Sequence, residues 1–243
     1  MKIIIKVLLL ISAVGYITFA IMRLSQPAGD VVCNEINIVI SDSIEQSYLR
    51  ENYVRDLMQK NKISPEGQKI SQIDMPGIET ALRDDAYISD AKCFHTATGR
   101  LCIHVKAMQP ILHVIAQNGE DYYMDQSGEC MPAENFNLNL NVATGQINKD
   151  FAKEKLIELA GYIYDDTYWN ERIVQIHVVS NKKIMLTSRY GEQKICLGDI
   201  DNLEEKFSKL KLFYEEALPK IGWNKYETIN LAFNGQIVCT RKK

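Results

Sequence analysis

Histidine and cysteine are two of the residue types of this chain that could bind a metal ion or take part in catalysis. There are four histidines and six cysteines. The histidines are His95, His104, His113 and His177. The first three lie on neighbouring predicted strands, so their imidazoles could converge, but no carboxylate or thiol completes a spacing typical of a metal site. The sequence therefore predicts no metal site and no cofactor.

Three pairs of adjacent acids, Asp84-Asp85, Glu120-Asp121 and Asp165-Asp166, could supply carboxylates for acid–base catalysis. Such catalysis needs two carboxyl groups that converge on one cleft, whereas adjacent acids in loops more often form turns or helix caps. The chain also lacks GxSxG, GxGxxG and GxxxxGK(S/T) motifs. We therefore expect no enzymatic activity and no small-molecule substrate, with an enzyme of unrecognised site pattern as the alternative.

The cysteines form no CxxC pair, which argues against zinc and thioredoxin-like sites. They are Cys33, Cys93, Cys102, Cys130, Cys196 and Cys239. Cys93 and Cys102 flank Thr98-Gly99 and could face each other across a hairpin, so a disulfide between them is possible in an oxidising compartment. The alternative is that most of the cysteines are small buried apolar residues.

The N-terminal segment reads as a membrane anchor. Residues 3–22 are almost entirely apolar, which is about the length that crosses a hydrocarbon core of roughly 30 Å. Lys2 and Lys6 precede or interrupt the run and Arg23 follows it, a bias that favours a cytoplasmic N-terminus. We expect residues 1–26 to form a short cytoplasmic start with a transmembrane helix, and residues 27–34 to form a tether.

A cleaved signal peptide is the competing interpretation of the same segment. The apolar core of a signal peptide usually spans only about 7–15 residues. Thr18-Phe19-Ala20 is the one sequence with small residues that could serve as a cleavage site, and the chain stays apolar after it. Both interpretations export residues 27–243. The net charge of −3, with no basic block beyond the terminal Arg-Lys-Lys, argues against binding of nucleic acid.

The remaining chain is predicted to have an α+β fold in two domains. Residues 35–110 show alternating strands and short amphipathic helices in the order β-α-α-β-β, and Asp74 can cap the second helix. Residues 111–243 are predicted to form an antiparallel sheet with packed helices. Its clearest helix begins near Leu203 and is expected to end at Pro219.

A hairpin is predicted near residue 240, with strands at 228–233 and 236–240 joined by the two-residue turn Asn234-Gly235. If this hairpin lies at a sheet edge, its outer strand carries N–H and C=O groups that a partner strand can pair with. Phe233 could serve there as an aromatic anchor, with ordinary core packing as the alternative. The candidate partner-binding residues are Phe233, Gln236, Ile237, Val238, Cys239 and Thr240.

Several motifs along the chain occur in the order in which one family of bacterial proteins carries them. Residues 73–82, IDMPGIETAL, are similar to the helix of its POTRA domain, and Ala86-Tyr87-Ile88 stands where Pro-Trp-Val is common. Residues 101–110 resemble its L-x-I-x-V-x-E-x-x-P strand, with Lys106 in place of Glu. Residues 123–128, YMDQSG, resemble its YVD-x-x-G hairpin. The long helix at 203–218 and the strand Ile229-Asn230-Leu231 follow in the same order. Through these motifs the chain resembles the bacterial cell-division family FtsQ/DivIB.

This resemblance implies a non-enzymatic scaffold of the division machinery. It implies a POTRA domain that docks other divisome proteins and a β domain that binds FtsB/FtsL-like coiled-coil partners. It also implies a single-pass inner-membrane protein with its bulk in the periplasm and a position at midcell. The alternatives are another POTRA-bearing envelope transport or assembly factor, or an anchored periplasmic enzyme.

Overall fold

The structure is a computed structural model that describes residues 12–20, 31–41, 48–96, 98–134, 137–180 and 183–242. Residues 12–20 are helical, and the other residues of the predicted anchor, 1–11 and 21–26, lie outside the described ranges. Among the described residues, no helix has both the length and the apolar character needed to cross a membrane.

The chain divides into two compact units built from discontinuous segments. The first comprises the described residues of Met1–Ser41, Arg50–Asp84 and Asp90–Lys106. The second comprises those of Asp42–Leu49, Asp85–Ser89 and Ala107–Lys243.

The first unit confirms the predicted β-α-α-β-β order. Its elements are β1 (Glu35–Ser41), α1 (Glu51–Lys60), a short 3-10 turn (Ile70–Gln72), α2 (Met75–Arg83), β2 (Ile88–His95) and β3 (Arg100–Ala107). The sheet order is β1-β3-β2, with β1 parallel to β3. Asp74 caps α2 as predicted, because its Oδ1 accepts a hydrogen bond from the N–H of Gly77 at 3.0 Å. The two helices bury their apolar faces through residues such as Val54 and Leu82, both fully buried.

Glu79 connects α2 to β2 in this unit. Its Oε1 accepts a hydrogen bond from the N–H of Cys93 at 2.8 Å, and its Oε2 pairs with Arg83 Nη2 at 2.9 Å. The N–H of Cys93 and, less strongly, the guanidinium of Arg83 hold the pKa of Glu79 below its ordinary value, against an opposing effect of burial. The charged carboxylate therefore stabilises the folded unit.

We expect Glu79→Gln to lower the melting temperature most at neutral pH. A carboxyl group whose pKa is lowered by folding stabilises the folded state above its unfolded pKa, and this contribution disappears as the pH falls through the folded pKa. The difference in melting temperature between the wild type and Glu79→Gln should thus be widest above about pH 5 and should shrink towards about pH 3. Thermal melts by circular dichroism across this range measure it. A difference that stays constant with pH would contradict the assignment.

The second unit is a nine-stranded sheet covered by helices. Its strands are β4 (Pro110–Ala116), β5 (Asp121–Asp125), β6 (Cys130–Pro132), β7 (Asn141–Gly145), β8 (Ile173–Ser180), β9 (Lys183–Ser188), β10 (Lys194–Gly198), β11 (Tyr226–Asn230) and β12 (Val238–Arg241). The order across the sheet is β12-β11-β10-β9-β8-β7-β4-β5-β6.

The prediction of a purely antiparallel second sheet is wrong, because the sheet is mixed. β7 is parallel to both β4 and β8, and β10 is parallel to β11. Two of these pairs have helices in their connections, as parallel neighbours require a crossover. α3 (Lys149–Phe151), a π-helical turn (Ala152–Leu156), α4 (Ile157–Asp165) and α5 (Thr167–Asn170) lie between β7 and β8.

The second crossover is one helical run between β10 and β11. It consists of α6 (Leu203–Leu212), a π-helical turn (Phe213–Ala217) and α7 (Leu218–Ile221). Pro219 lies in the first turn of α7, so the prediction that it ends the helix is wrong. Proline has no N–H and its ring displaces the preceding turn, and the π-helical turn directly before it widens the helix and lets the run continue.

The core of the second unit lies between this helical layer and the sheet. Trp169 on α5 is 1% exposed and packs edge-on against Phe207 on α6, with ring centroids 5.0 Å apart. Tyr214 lies 6.0 Å from the same indole. The three aromatic rings therefore join the two crossovers above the sheet.

Candidate functional site

The candidate partner-binding site is the sheet edge formed by β12. This strand pairs antiparallel with β11 alone, from Asn230 with Val238 to Tyr226 with Arg241, and no other described strand lies beyond it. An edge strand directs part of its backbone N–H and C=O groups away from the sheet. Those groups can pair with an added strand.

The side chains of this edge alternate between the core and the solvent. Ile237 and Cys239 are half-buried and pack against the core, whereas Val238 and Thr240 are exposed. Val238 to Thr240 lie within β12, and Gln236 and Ile237 directly precede it. A strand added here would therefore meet a backbone ladder flanked by β-branched side chains, a composition suited to β pairing.

The connection between β11 and β12 is longer than predicted. Asn230 and Val238 are the last paired residues, so residues 231–237 form the loop and the prediction of a two-residue turn at Asn234-Gly235 is wrong. Gly235 has a φ of +73°, which glycine adopts without strain. Asn230 Oδ1 accepts a hydrogen bond from the N–H of Ala232 at 2.9 Å, so the chain leaves the ladder by an Asx-type turn.

Phe233 lies in this loop and is 47% exposed. It is absent from the buried core of the unit, which consists of residues such as Ile229 and Leu231. A half-exposed phenylalanine beside a sheet edge offers an apolar contact to a second molecule. This exposure favours the anchor interpretation of Phe233 over core packing.

The C-terminal end of β12, at Arg241, is fixed by polar contacts of the next residue, Lys242. The N–H of Lys242 donates to the carbonyl of Lys225 at 3.1 Å, and the Lys242 ammonium pairs with the Glu192 carboxylate. Their mutual hydrogen bond lowers the pKa of Glu192 and raises that of Lys242. The edge is thus held at its Arg241 end, and its other end carries the exposed loop.

The opposite edge of the sheet is a weaker candidate for strand addition. It is β6, a strand of three residues that ends in Pro132. A short edge containing proline offers few donors to a partner.

Cys93 and Cys102 are both free thiols in the structure. Cys93 is half-buried on β2 and Cys102 is buried on β3. Burial raises the pKa of the Cys93 thiol to about 12, so its thiolate, the form that reacts, is scarce at neutral pH. The disulfide between them stays a prediction.

Each histidine makes a local contact, that of His95 being between its Nδ1 and the carbonyl of Thr96 at 3.4 Å. His113 Nε2 is 2.6 Å from Asp121 Oδ1, and His177 Nδ1 is 2.9 Å from Thr144 Oγ1. The His104 ring packs against Phe94 with centroids 5.0 Å apart. Within the part of the chain that the structure describes, no group of three or more His, Cys, Asp or Glu could hold a metal ion.

Comparison with known families gives two adjacent matches. Residues 109–240 match the family described as FtsQ/DivIB, C-terminal related. Residues 31–106 match a POTRA-like domain. No curated protein matches the chain.

Proposed function

The chain belongs to the FtsQ/DivIB, C-terminal related, family, and on this premise we propose that it is a non-enzymatic scaffold of the bacterial cell-division machinery. The observation that carries the proposal is the order of two matched regions, a POTRA-like domain at 31–106 followed by the family's own domain at 109–240. POTRA-like and FtsQ/DivIB domains are generally scaffold domains without enzymatic activity.

The partners that we propose are FtsB/FtsL-like coiled-coil membrane proteins, bound to the second unit. The support is the β12 edge, whose exposed ladder and neighbouring Phe233 suit a partner that adds a strand and inserts an apolar side chain. The binding residues would be Phe233, Gln236, Ile237, Val238, Cys239 and Thr240. Strand addition takes place mainly through backbone hydrogen bonds, so it does not require charged side chains on the edge. None of these six residues is charged.

We further propose that the protein is anchored in the inner membrane by residues 1–26, followed by a tether at 27–34. The POTRA-type domain at 35–110 and the β-rich domain at 111–243 would then lie in the periplasm. The support is the apolar run at 3–22 and the Lys/Arg bias around it. In this position the protein would link septal cell-wall synthesis to constriction.

The position of the full-length protein in dividing cells tests the proposal. With a fluorescent tag that matures in the periplasm, we expect a band at midcell late in the cell cycle. An even signal around the envelope would contradict the division role and would favour an envelope transport or assembly factor. A diffuse cytoplasmic signal would contradict the anchor and the export together.

A further inference from the structure

A second surface of the β-rich unit carries cations and aromatic rings that the core and the β12 edge do not use. It is a cavity of about 460 Å³ lined by Arg172, Arg189, Tyr190, Gly191 and Trp223. We call it the arginine–aromatic groove. It lies at the end of the sheet where β8 and β10 begin and β9 and β12 end. Phe233 and its loop belong to the opposite end, so the groove is distinct from the proposed partner edge.

The groove assembles from three separate segments. Arg172 directly precedes β8, and Arg189 directly follows β9. The N–H of Arg189 donates to the carbonyl of Arg172 at 2.6 Å, which fixes the two backbones side by side. Trp223 comes from the turn after α7.

The guanidinium of Arg172 is held in place by aromatic rings. Its Cζ lies 3.6 Å from the centroid of the Tyr168 ring and 5.7 Å from that of Tyr190, and its Nη1 donates to the carbonyl of Tyr168 at 3.0 Å. The Lys211 ammonium lies 4.7 Å from the Tyr168 ring as well. A guanidinium has five N–H donors, so most of those of Arg172 stay available to a ligand.

The two arginines of the groove and the neighbouring Lys211 are only partly balanced by acids among the described residues. Arg172, Arg189 and Lys211 form no ion pair with any residue that the structure describes, although neighbouring exposed charges such as Lys209, Lys220 and Lys242 do. Burial raises the pKa of Tyr168, and Glu215 and Asp166 lie close enough to its ring to raise it further, so these acids balance part of this charge. Three cations without an ion pair still leave a local excess of positive charge on a chain whose net charge is −3. Such a surface is complementary to an anion.

The aromatic walls are exposed and yet fixed. Tyr190 is 51% exposed and Trp223 is 37% exposed. The Trp223 indole packs edge-on against Tyr214 at 5.4 Å, and the buried Gln193 donates its amide N–H to the carbonyl of Trp223. The N–H of Tyr190 donates to Ser188 Oγ at 3.2 Å. Because these contacts fix the backbone of both turns, a ligand meets rings on an ordered backbone, which lowers the entropy lost on binding.

We propose that the arginine–aromatic groove binds an acidic segment of a protein partner, in which a carboxylate side chain stands next to an apolar one. Arginine pairs with carboxylates through two parallel hydrogen bonds, and Arg, Tyr and Trp are the residue types that dominate protein–protein binding energies. The carboxylate contacts Arg172 and Arg189, and the apolar neighbour packs against Tyr190 and Trp223.

The strands beside the groove also define how the partner is recognised. β8, β9 and β10 are interior strands, and each is paired on both sides. Their backbone N–H and C=O groups are already paired, so a partner cannot bind here by adding a strand. The groove therefore recognises the side chains of the acidic segment, and that segment need not be extended. This mode differs from the strand addition proposed at β12.

The test is a titration of the full-length chain in detergent with two labelled peptides. One is acetyl-Leu-Glu-Tyr-Glu-Leu-amide, and its matched control replaces both glutamates with glutamines. We expect the acidic peptide to bind with a Kd about tenfold lower than the control, because charge-assisted hydrogen bonds are about twice as strong as neutral ones. Arg189→Gln and Tyr190→Ala should each raise the Kd of the acidic peptide about tenfold. Both side chains are exposed, so circular dichroism should show an unchanged fold.

Arg100→Gln is the control variant, since it removes the same charge from an exposed site in the first unit. It should leave the Kd unchanged. Equal affinity for the two peptides, no binding of the acidic one up to about 10 mM, or an equal loss in Arg100→Gln overturns the proposal. Tighter binding of the neutral glycan chitotetraose, lost in Tyr190→Ala, would assign the groove to a carbohydrate and overturn it too. None of these results depends on the midcell position of the protein.

Discussion

Val238→Pro is expected to abolish binding of the FtsB/FtsL-like partners while the body of the protein stays folded. Val238 is the first residue of β12, the strand that forms the sheet edge. Proline has no N–H, so it removes a donor from the edge ladder that a partner strand would pair with, whereas the fold tolerates proline at the first residue of an edge strand. Titration of the full-length variant with the purified partner pair of the same organism measures the loss.

Val238→Thr is the matched control for this substitution. Threonine keeps the backbone N–H, the branched shape and a high β propensity, and the side chain at this position is 42% exposed. The Thr variant should bind as the wild type does. Partner binding by Val238→Pro at wild-type affinity, with an unchanged circular dichroism spectrum, would exclude β12 as the binding edge.

Trp169→Ala is expected to lower the free energy of unfolding by about 3–5 kcal/mol, the range for removal of a buried large aromatic side chain. The indole is 1% exposed and packs against three rings, those of Tyr168, Phe207 and Tyr214. Its removal leaves a cavity at the point where the two crossovers meet. Urea denaturation followed by near-ultraviolet circular dichroism measures the change.

Leu212→Ala is the control for this second prediction. Leu212 belongs to the same helical layer, at the end of α6, but it is 62% exposed. Its replacement should change the free energy of unfolding by less than about 0.5 kcal/mol. If Trp169→Ala changed the free energy of unfolding as little as Leu212→Ala does, the rings of Trp169, Phe207 and Tyr214 would not link the two crossovers as their geometry indicates.

The order of elements in the first unit follows from local sequence signals. Alternating Leu101, Ile103 and Val105 mark a strand, and Asp74 before Met75-Pro76 marks a helix start. Each signal acts over a few residues, and its outcome does not depend on distant partners. The predicted order of strands and helices was therefore confirmed.

The pairing of the second sheet could not be derived in the same way. β7, with the sequence NVATG, has a single fully buried side chain, Ala143, and β6 has three residues, so neither carries a clear period. Both were missed. Their places are set by residues far along the chain, since β7 lies between β4 and β8 and is parallel to both. When β7 is not recognised, the strands on either side of it suggest a series of hairpins, which is why the sequence favoured an antiparallel sheet.

The β12 edge and the arginine–aromatic groove were not equally predictable from the sequence. The edge at residues 238–240 was predictable as a hairpin strand. The loop length was not, because Leu231 no longer pairs with β12 and donates its N–H to the carbonyl of Cys196 on the neighbouring β10 at 2.8 Å. The arginine–aromatic groove had no local signal. Arg172, Arg189 and Trp223 belong to three segments that only the folded sheet brings together.

The attachment of the last hairpin to the sheet has a consequence for its dynamics. β11 pairs with β10 through three residue pairs, Lys194 with Thr228, Ile195 with Ile229 and Cys196 with Asn230, and the hydrogen bond from Leu231 to Cys196 extends this short ladder. A hairpin held by so few pairs opens locally at a lower free energy than the interior strands do, so its amide protons exchange with solvent sooner. A partner strand added to β12 raises that opening free energy by mass action. Amide protection in β11, which the partner does not touch, would then report whether the edge is occupied.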